Sequence, residues 1–394
     1  MRHARRGVIG GCALGLATGW NIGNTGAVAS QLGEAYGVGL ATIGLFTTAL
    51  FITHSGMQLP AGRGADRFGA RRAGIAALVV ILTFNLVALA GPDPALALAS
   101  RLLIGVGTGI GFIAGSAYVR SKSGSAFAQG VYGGLALGGG GLALAIVPVA
   151  SGALGWRAPF VTAVVAALGG LALLLAGPAD GPSQQTVREE HLPAGVLRDR
   201  RLYRLAVLFS CSLGLSVVLG NWVVTLLQRE GGMSRGAAGA IGALTLVLGV
   251  VSRPLGGFIL HTRPERVRFA VGASLAAGAV GTLAVARAGP PVLAVAGVVL
   301  IGLAAGIPFA PVFQGAALLR PDAQATAIGL VNGAASVVIL AGTPLLGLAF
   351  SLPGGGRAGF VVVALLWALA LLALPSARQL AADVRRAEPG LPRE

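Results

Sequence analysis

Two arginines stand inside stretches that are otherwise apolar. Arg101 lies in the run from about residue 95 to 119, and Arg253 in the run from about 235 to 260. A guanidinium placed in hydrocarbon costs about 2.5–3.5 kcal/mol even on the most lenient scale, so each one needs a cavity, a partner or a bound anion. None of the 13 acidic residues falls at the centre of an apolar run. Carbonyls, water or an anionic solute must serve instead, which favours an anion over a cation as ligand. Arg253 also has a plainer reading, as a residue that snorkels and caps a neighbouring helix. His54 and Gln58 stand four residues apart, on one face of a helix. A histidine with a reference pKa near ~6.5 can titrate during a working cycle, although a hydrogen bond across a helix interface would equally explain it. Trp20, Asn21 and Asn24 in the first apolar run have a counterpart in Asn221-Trp222. Asparagine amides bind polar solutes or tie helices together; their presence in both halves of the chain favours a cavity.

These residues need elements to hold them, and composition restricts the choice. Of 394 residues, 55% are hydrophobic, 11% are charged and 64 are glycine. So few charges could not cover a water-soluble surface. Apolar runs long enough to cross a ~30 Å hydrocarbon core recur along the chain, at about 8–30, 40–60, 73–91, 95–119, 127–152 and 157–177, then about 204–228, 235–260, 268–287, 291–313, 325–350 and 358–375. Twelve transmembrane helices in an all-α membrane protein are therefore expected. The first run resembles a signal peptide, with Arg5-Arg6 before it and Ala27-Val28-Ala29 after it. It is too long for one and is interrupted by Trp20, Asn21 and Asn24, so it is expected to be retained.

The net charge of +16 does not point to nucleic acid. Its arginines lie in short gaps between apolar runs, without the clustered aromatic platforms of a nucleic-acid face. Most of the 29 basic residues fall on one side of the expected bilayer, and only Arg157, Arg229, Arg235, Arg287 and Arg357 on the other. The positive-inside rule then puts both termini in the cytoplasm, in a multi-pass protein of the cytoplasmic membrane. Cys12 and Cys211 lie in apolar runs as small hydrophobes. A membrane enzyme would need converging titratable groups, whereas His3, His54, His191 and His261 are scattered and the acids peripheral. No catalytic residue, cofactor or metal is expected.

The two halves repeat each other. Ile104-Gly105 through Gly109-Ile110-Gly111-Phe112 matches Ile301-Gly302 through Gly306-Ile307-Pro308-Phe309, and Arg157-Ala158-Pro159-Phe160 matches Arg357-Ala358-Gly359-Phe360. Gly62 aligns with Gly257 at a similar shift of about 200 residues, the pattern of a duplicated transporter with its site between the halves. The expected units are residues 1–177, a cytoplasmic linker 178–203, residues 204–375 and a cytoplasmic tail 376–394.

The segment Gly62-Arg63-Gly64-Ala65-Asp66-Arg67-Phe68-Gly69-Ala70-Arg71-Arg72 resembles the loop motif of the major facilitator superfamily, G-x-L-x-D-R-x-G-R-R. Arg101 followed by Gly105, Gly107 and Gly109 resembles that family's fourth-helix motif, and Gly155-Trp156-Arg157-Ala158-Pro159-Phe160 its entry to the sixth helix. The resemblance covers the whole chain. It implies two pseudo-symmetric six-helix bundles, a central cavity and alternating access, with Gly62, Asp66, Arg67, Gly69, Arg71 and Arg72 as a gating loop. In the second half, His261 replaces the loop aspartate. The fifth helix has Gly138 to Gly141 and a later Pro148 in place of the antiporter G-P pair. Arg253-Pro254-Leu255-Gly256-Gly257 is similar to the eighth-helix segment of nitrate/nitrite porters, where the arginine contacts the anion. The matching second-helix position is Gln58 instead of arginine, which argues against nitrate itself.

The expected function is secondary transport of a small anionic or polar organic solute, with a coupling proton as an open question and a monomer as the working unit. The expected cavity residues are Trp20, Asn21, Asn24, His54, Gln58, Arg101, Asn221, Trp222 and Arg253. Efflux of hydrophobic drugs and a transporter-like receptor are the alternatives.

Overall fold

The computed structural model describes residues 2–123, 125–180, 194–320, 324–350 and 352–375. Among them the chain is helical throughout, with no strand. Its first half contains α1 (Arg2–Gly23), α2 (Ala29–Tyr36), α3 (Leu40–Gly56), α4 (Gln58–Phe68), α5 (Ala70–Val87), α6 (Pro94–Ser123), α7 (Ala126–Leu154) and α8 (Ala158–Leu175). A short α9 (Ala194–Arg198) leads into α10 (Arg200–Phe209), a π turn at Ser210–Leu215 and α11 (Ser216–Arg229). Then come α12 (Arg235–Val247), α13 (Gly249–Thr262), α14 (Val267–Ala286), α15 (Pro291–Gly306), α16 (Phe309–Leu319), α17 (Gln324–Ala349) and α18 (Arg357–Leu369).

Eight helical stretches among the described residues are long and apolar enough to cross a membrane. One of them, Phe127–Leu175, joins α7 to α8 through a turn at Gly155–Arg157. Large apolar side chains such as Val149, Phe269, Val292 and Leu372 are exposed on the outer faces. That surface would be a liability in water and suits hydrocarbon, where only the backbone must be satisfied internally.

Packing follows one scheme twice. In the first half α5 packs on α6 and α8, and α3 packs on α6. In the second half α14 packs on α15 and α18, and α12 and α13 pack on α15. The halves of the chain meet where α7 runs along α12 and α13, and where α17 runs along α3 and α4. Glycine makes the first seam possible: a Cβ on Gly134 would lie 2.8 Å from the Gly249 carbonyl, and one on Gly130 2.7 Å from that of Arg253. The run Gly138 to Gly141 serves two neighbours at once, with Gly139 against Leu16 of α1 and Gly141 against Val247 of α12. Such small-residue faces are how helices approach closely when no hydrophobic force distinguishes lipid from partner. Gly105 and Gly109 do the same on α6, facing the carbonyls of Leu50 and His54.

The helix boundaries depart from the apolar runs in an ordered way. The first helix begins at Arg2 and ends at Gly23, well before residue 30, because the Asn24 side chain is bonded to the Pro159 carbonyl and the chain turns into α2. Four runs expected to be continuous are interrupted: at Met57, in the π turn, at Leu248 and at Ile307–Pro308. Pro60 and Pro308 each remove an N–H from the ladder near their break. The polar linker is not wholly solvated, since Val196 is fully buried and α9 packs on α17. Residues 181–193 of the linker and 376–394 of the tail lie outside the described residues.

Candidate functional site

Three of the four interruptions border one internal cavity. Its walls include His54 just before the Met57 break, Leu213 in the π turn, Leu246 just before the Leu248 break and Arg253 just after it. Broken helices of this kind free backbone groups and redirect side chains at membrane depth. The open space is small, about 30 Å³, so the cavity is constricted in this conformation. Its polar lining is Thr18, His54, Arg253, Asn332 and Ser336; Phe51, Phe112 and Ile339 are among its apolar walls. Among the described residues no carboxylate lines it.

Among the described residues of that lining, Arg253 is the one cation apart from the titratable His54. It is 1% exposed. Its Nη1 donates to the Gly133 carbonyl at 2.6 Å, and its guanidinium carbon lies 4.3 Å from the centre of the Phe309 ring. Nε and Nη2 have no hydrogen-bond partner among the described residues. One edge of the guanidinium is thus fixed by a carbonyl and a ring face, while its remaining donors are unspent.

Two pairs of polar side chains, Gln58 with Asn332 and His54 with Thr108, are also linked here. Gln58 Nε2 donates to the His54 carbonyl at 2.9 Å, and Asn332 Nδ2 donates to Gln58 Oε1 at 2.6 Å. This bond joins α4 to α17, so it crosses between the two halves of the chain. His54 Nδ1 lies 3.0 Å from Thr108 Oγ1, and Thr108 Oγ1 donates to the Gly105 carbonyl at 3.1 Å. With the hydroxyl proton committed to a carbonyl, Nδ1 is the donor and Nε2 the acceptor of the imidazole.

The other expected cavity residues are placed elsewhere. Arg101 is fully buried among α1, α3 and α6, with Nε on the Phe46 carbonyl at 3.2 Å and Nη1 on Asn24 Oδ1 at 3.3 Å. Asn21 accepts from Asn85 Nδ2 at 2.9 Å, and the Trp20 indole donates to Thr162 Oγ1 at 3.1 Å. These four residues tie helices of the first half together and are not among those lining the cavity. Trp222 donates to the Thr343 carbonyl at 2.8 Å, joining α11 to α17. Asn221 lies beside Gly26 of the first half, and its Nδ2 has no partner among the described residues. Asn332 was not singled out from sequence, although it is an amide within an apolar run, the same signal that marked Asn21.

The gating-loop residues span α4 and the start of α5. Gly62 is buried, and α4 packs on both α6 and α17. Arg67 and Arg72 are exposed, with Arg67 5.3 Å above the Phe68 ring. Gly69 adopts φ +94, a conformation open to glycine, at the junction of the two helices. Arg71 reaches the carbonyls of Leu174 and Leu175 at the end of α8. The Asp66 side chain lies outside the described residues.

Comparison with known proteins agrees with this architecture. The chain is 29% identical over 379 residues to the gentisate transporter of Corynebacterium glutamicum, covering 89% of this chain and 82% of that protein. It is 27% identical over 285 residues to the probable sulfoacetate transporter of Cupriavidus necator, covering 66% of each, just under two thirds of that relative's length. The human organic anion transporter MFSD10 superposes with a TM-score of 0.70 at 18% identity, over 94% of this chain and 99% of that one, a likeness of fold. The profile of the Major Facilitator Superfamily matches residues 11–343, from α1 into α17, and the chain belongs to that family of membrane transporters.

Proposed function

We propose that this protein is a secondary transporter of small organic anions, taking a carboxylate or sulfonate with an apolar body. The observation that carries this reading is Arg253: a buried guanidinium on the cavity wall, with Nε and Nη2 unpartnered and no carboxylate in the lining among the described residues. A desolvated cation with spare donors is complementary to an oxyanion and hostile to a cation. The apolar walls suit the remainder of such a solute, and the relatives named for gentisate and sulfoacetate carry organic acids.

The scaffold we assign has twelve spans in two six-helix bundles, residues 1–177 and 204–375, joined by the 178–203 linker and followed by the tail 376–394. Breaks within α3–α4, α10–α11, α12–α13 and α15–α16 leave each pair as one span. The arginine distribution supports cytoplasmic termini in the cytoplasmic membrane. Rocking about the seams α7 with α12–α13, and α17 with α3–α4, would open the cavity alternately to each side. His54 is the titratable acceptor in the cavity available to a coupling proton, and the working unit is a monomer.

Reconstituted vesicles test the reading. Wild-type protein should take up labelled gentisate or another small organic acid, and Arg253→Gln should raise the half-saturation concentration at least about tenfold, the loss of a charge-assisted hydrogen bond. Uptake confined to lipophilic cations would replace this reading with drug efflux. Binding without flux would make the protein a receptor.

A further inference from the structure

The direction of a buried hydrogen-bond chain is fixed by whichever member has no choice. The His54 carbonyl can only accept. The Gln58 amide must therefore turn its NH2 toward it, at 2.9 Å, and leave Oε1 facing α17. Asn332 must then give its NH2 to Oε1, at 2.6 Å. What remains is Asn332 Oδ1, buried and without a partner among the described residues, on a side chain that lines the cavity. Rotating the Asn332 amide would set two carbonyl oxygens against each other, so the chain holds an acceptor at this position. His54 ends a second chain in the same sense. Gly105 accepts from Thr108, Thr108 accepts from Nδ1, and Nε2 is left as the ring's acceptor.

The cavity thus offers donors on Arg253 and acceptors on Asn332 and His54. Its polar lining asks for two opposite kinds of group. From this we infer that the transported solute is a hydroxylated organic anion, its carboxylate held by Arg253 and its hydroxyl donating to Asn332 Oδ1. Asn332 is accordingly the residue that sets specificity, and Gln58 positions it. An ammonium group would also donate, but it would lie in a cavity that has a buried cation and, among the described residues, no carboxylate to offset it. A hydroxyl meets the acceptor with no added charge. A solute without a donor leaves Oδ1 desolvated and unpaired, the situation in which polar sites discriminate most strongly. The inference rests on the anion reading of Arg253 and narrows it. It separates two kinds of organic acid: a hydroxybenzoate meets both demands, while a simple sulfonated acetate meets only one.

The test is binding of benzoate, its methyl ethers and the three monohydroxybenzoates to the purified full-length protein, read as ligand-induced thermal stabilisation, which follows ln(1 + [L]/Kd). The best hydroxybenzoate should bind wild-type protein about tenfold or more tighter than benzoate and than its own methyl ether. Asn332→Leu should bring that ratio close to one, because the hydroxybenzoate loses its acceptor and benzoate no longer leaves an unpaired Oδ1 behind it. Gln58→Leu should do the same without touching the cavity wall, because Asn332 is then free to turn its NH2 inward. A merely structural Gln58 would change the melting point and leave the ratio intact. Equal binding of benzoate and all hydroxybenzoates by wild type overturns this inference alone, as does a ratio that survives both substitutions. Should either variant fail to fold, the wild-type ratio still decides. No binding of any benzoate, or benzoate binding unaffected by Arg253→Gln, overturns the anion reading and this inference with it.

Discussion

Asp180 accepts the backbone N–H of Arg71 on both carboxylate oxygens, at 3.0 and 3.2 Å, while the Arg71 guanidinium donates to the carbonyls of Leu174 and Leu175. An anion thus sits at the N-terminus of α5 and a cation at the C-terminus of α8, each at the helix end where its sign is favourable. The segment carrying Asp180 is itself held, by Tyr118 donating to the Pro178 carbonyl and Lys122 to that of Ala179. The arginine-rich loop therefore does more than face the aqueous phase: it clamps the ends of two helices in the first half.

Gly69 should prove more sensitive than the aspartate it adjoins. A Cβ there would lie 2.3 Å from Asp180 Oδ2, and its φ of +94 is one that L side chains avoid. Asp180→Ala should lose a helix cap, about 1 kcal/mol. Gly69→Ala should lose that cap and add about 1–3 kcal/mol of backbone strain. Thermal unfolding in detergent should rank the melting points wild type, Asp180→Ala, Gly69→Ala in falling order; the reverse order of the two variants would refute the clamp.

A second prediction separates Arg253's chemistry from its position. A Cβ on Gly133 would meet the Phe309 ring at 2.3 Å, and that ring lies against the Arg253 guanidinium. Gly133→Ala should therefore shift Phe309 and with it Arg253, raising the half-saturation concentration for organic anions several-fold, as when about 1 kcal/mol of cation–π contact is lost. Phe309→Leu removes the ring that Gly133→Ala would strike, so adding Gly133→Ala to Phe309→Leu should cost little further affinity. If the double variant is worse than the sum of its parts, the ring is not what Gly133 accommodates.

Much of this arrangement was readable in the sequence, for identifiable reasons. A span needs roughly 20 apolar residues, and such runs locate helices without any knowledge of neighbours. Arg253 stood out because a charge in an apolar run has few explanations. Burial, however, is not direction. Asn21, Asn24 and Trp20 interrupt an apolar helix just as Asn332 does, yet they face Asn85, Pro159 and Thr162, while Asn332 faces the cavity. Which face of a helix meets which neighbour is decided by packing between distant segments. The same holds for the break at Leu248 and for the π turn, where local composition gave no interruption. Asp180 was hidden for another reason, since its partner is a backbone N–H more than a hundred residues away.

His54 makes a prediction about coupling. Its Nδ1 is committed to Thr108 and its Nε2 is an acceptor, so a proton arriving through the cavity has a defined place to bind. His54→Gln should abolish stimulation of uptake by an inward proton gradient, while exchange of labelled for unlabelled anion at equal pH persists. Gradient stimulation that survives the substitution would place the coupling proton on another group, or on the solute itself.

The first-half network should contribute to stability and not to selectivity. Asn85 Nδ2 donates to Asn21 Oδ1 at 2.9 Å, and both side chains are fully buried, yet neither lines the cavity. Each amide also keeps a bond to its own helix, Asn21 to the Ala17 carbonyl and Asn85 to that of Ile81. Removing one partner therefore leaves the other partly satisfied. A double-mutant cycle with Asn21→Ala and Asn85→Ala should give a coupling of about 0.6 kcal/mol, the usual size for hydrogen bonds between membrane helices, and less than about 1.7. The relative affinities for a panel of organic anions should be unchanged in both single variants. A change in that ranking would show that Asn21 reaches the solute in another conformation of the cycle, and would return it to the binding site.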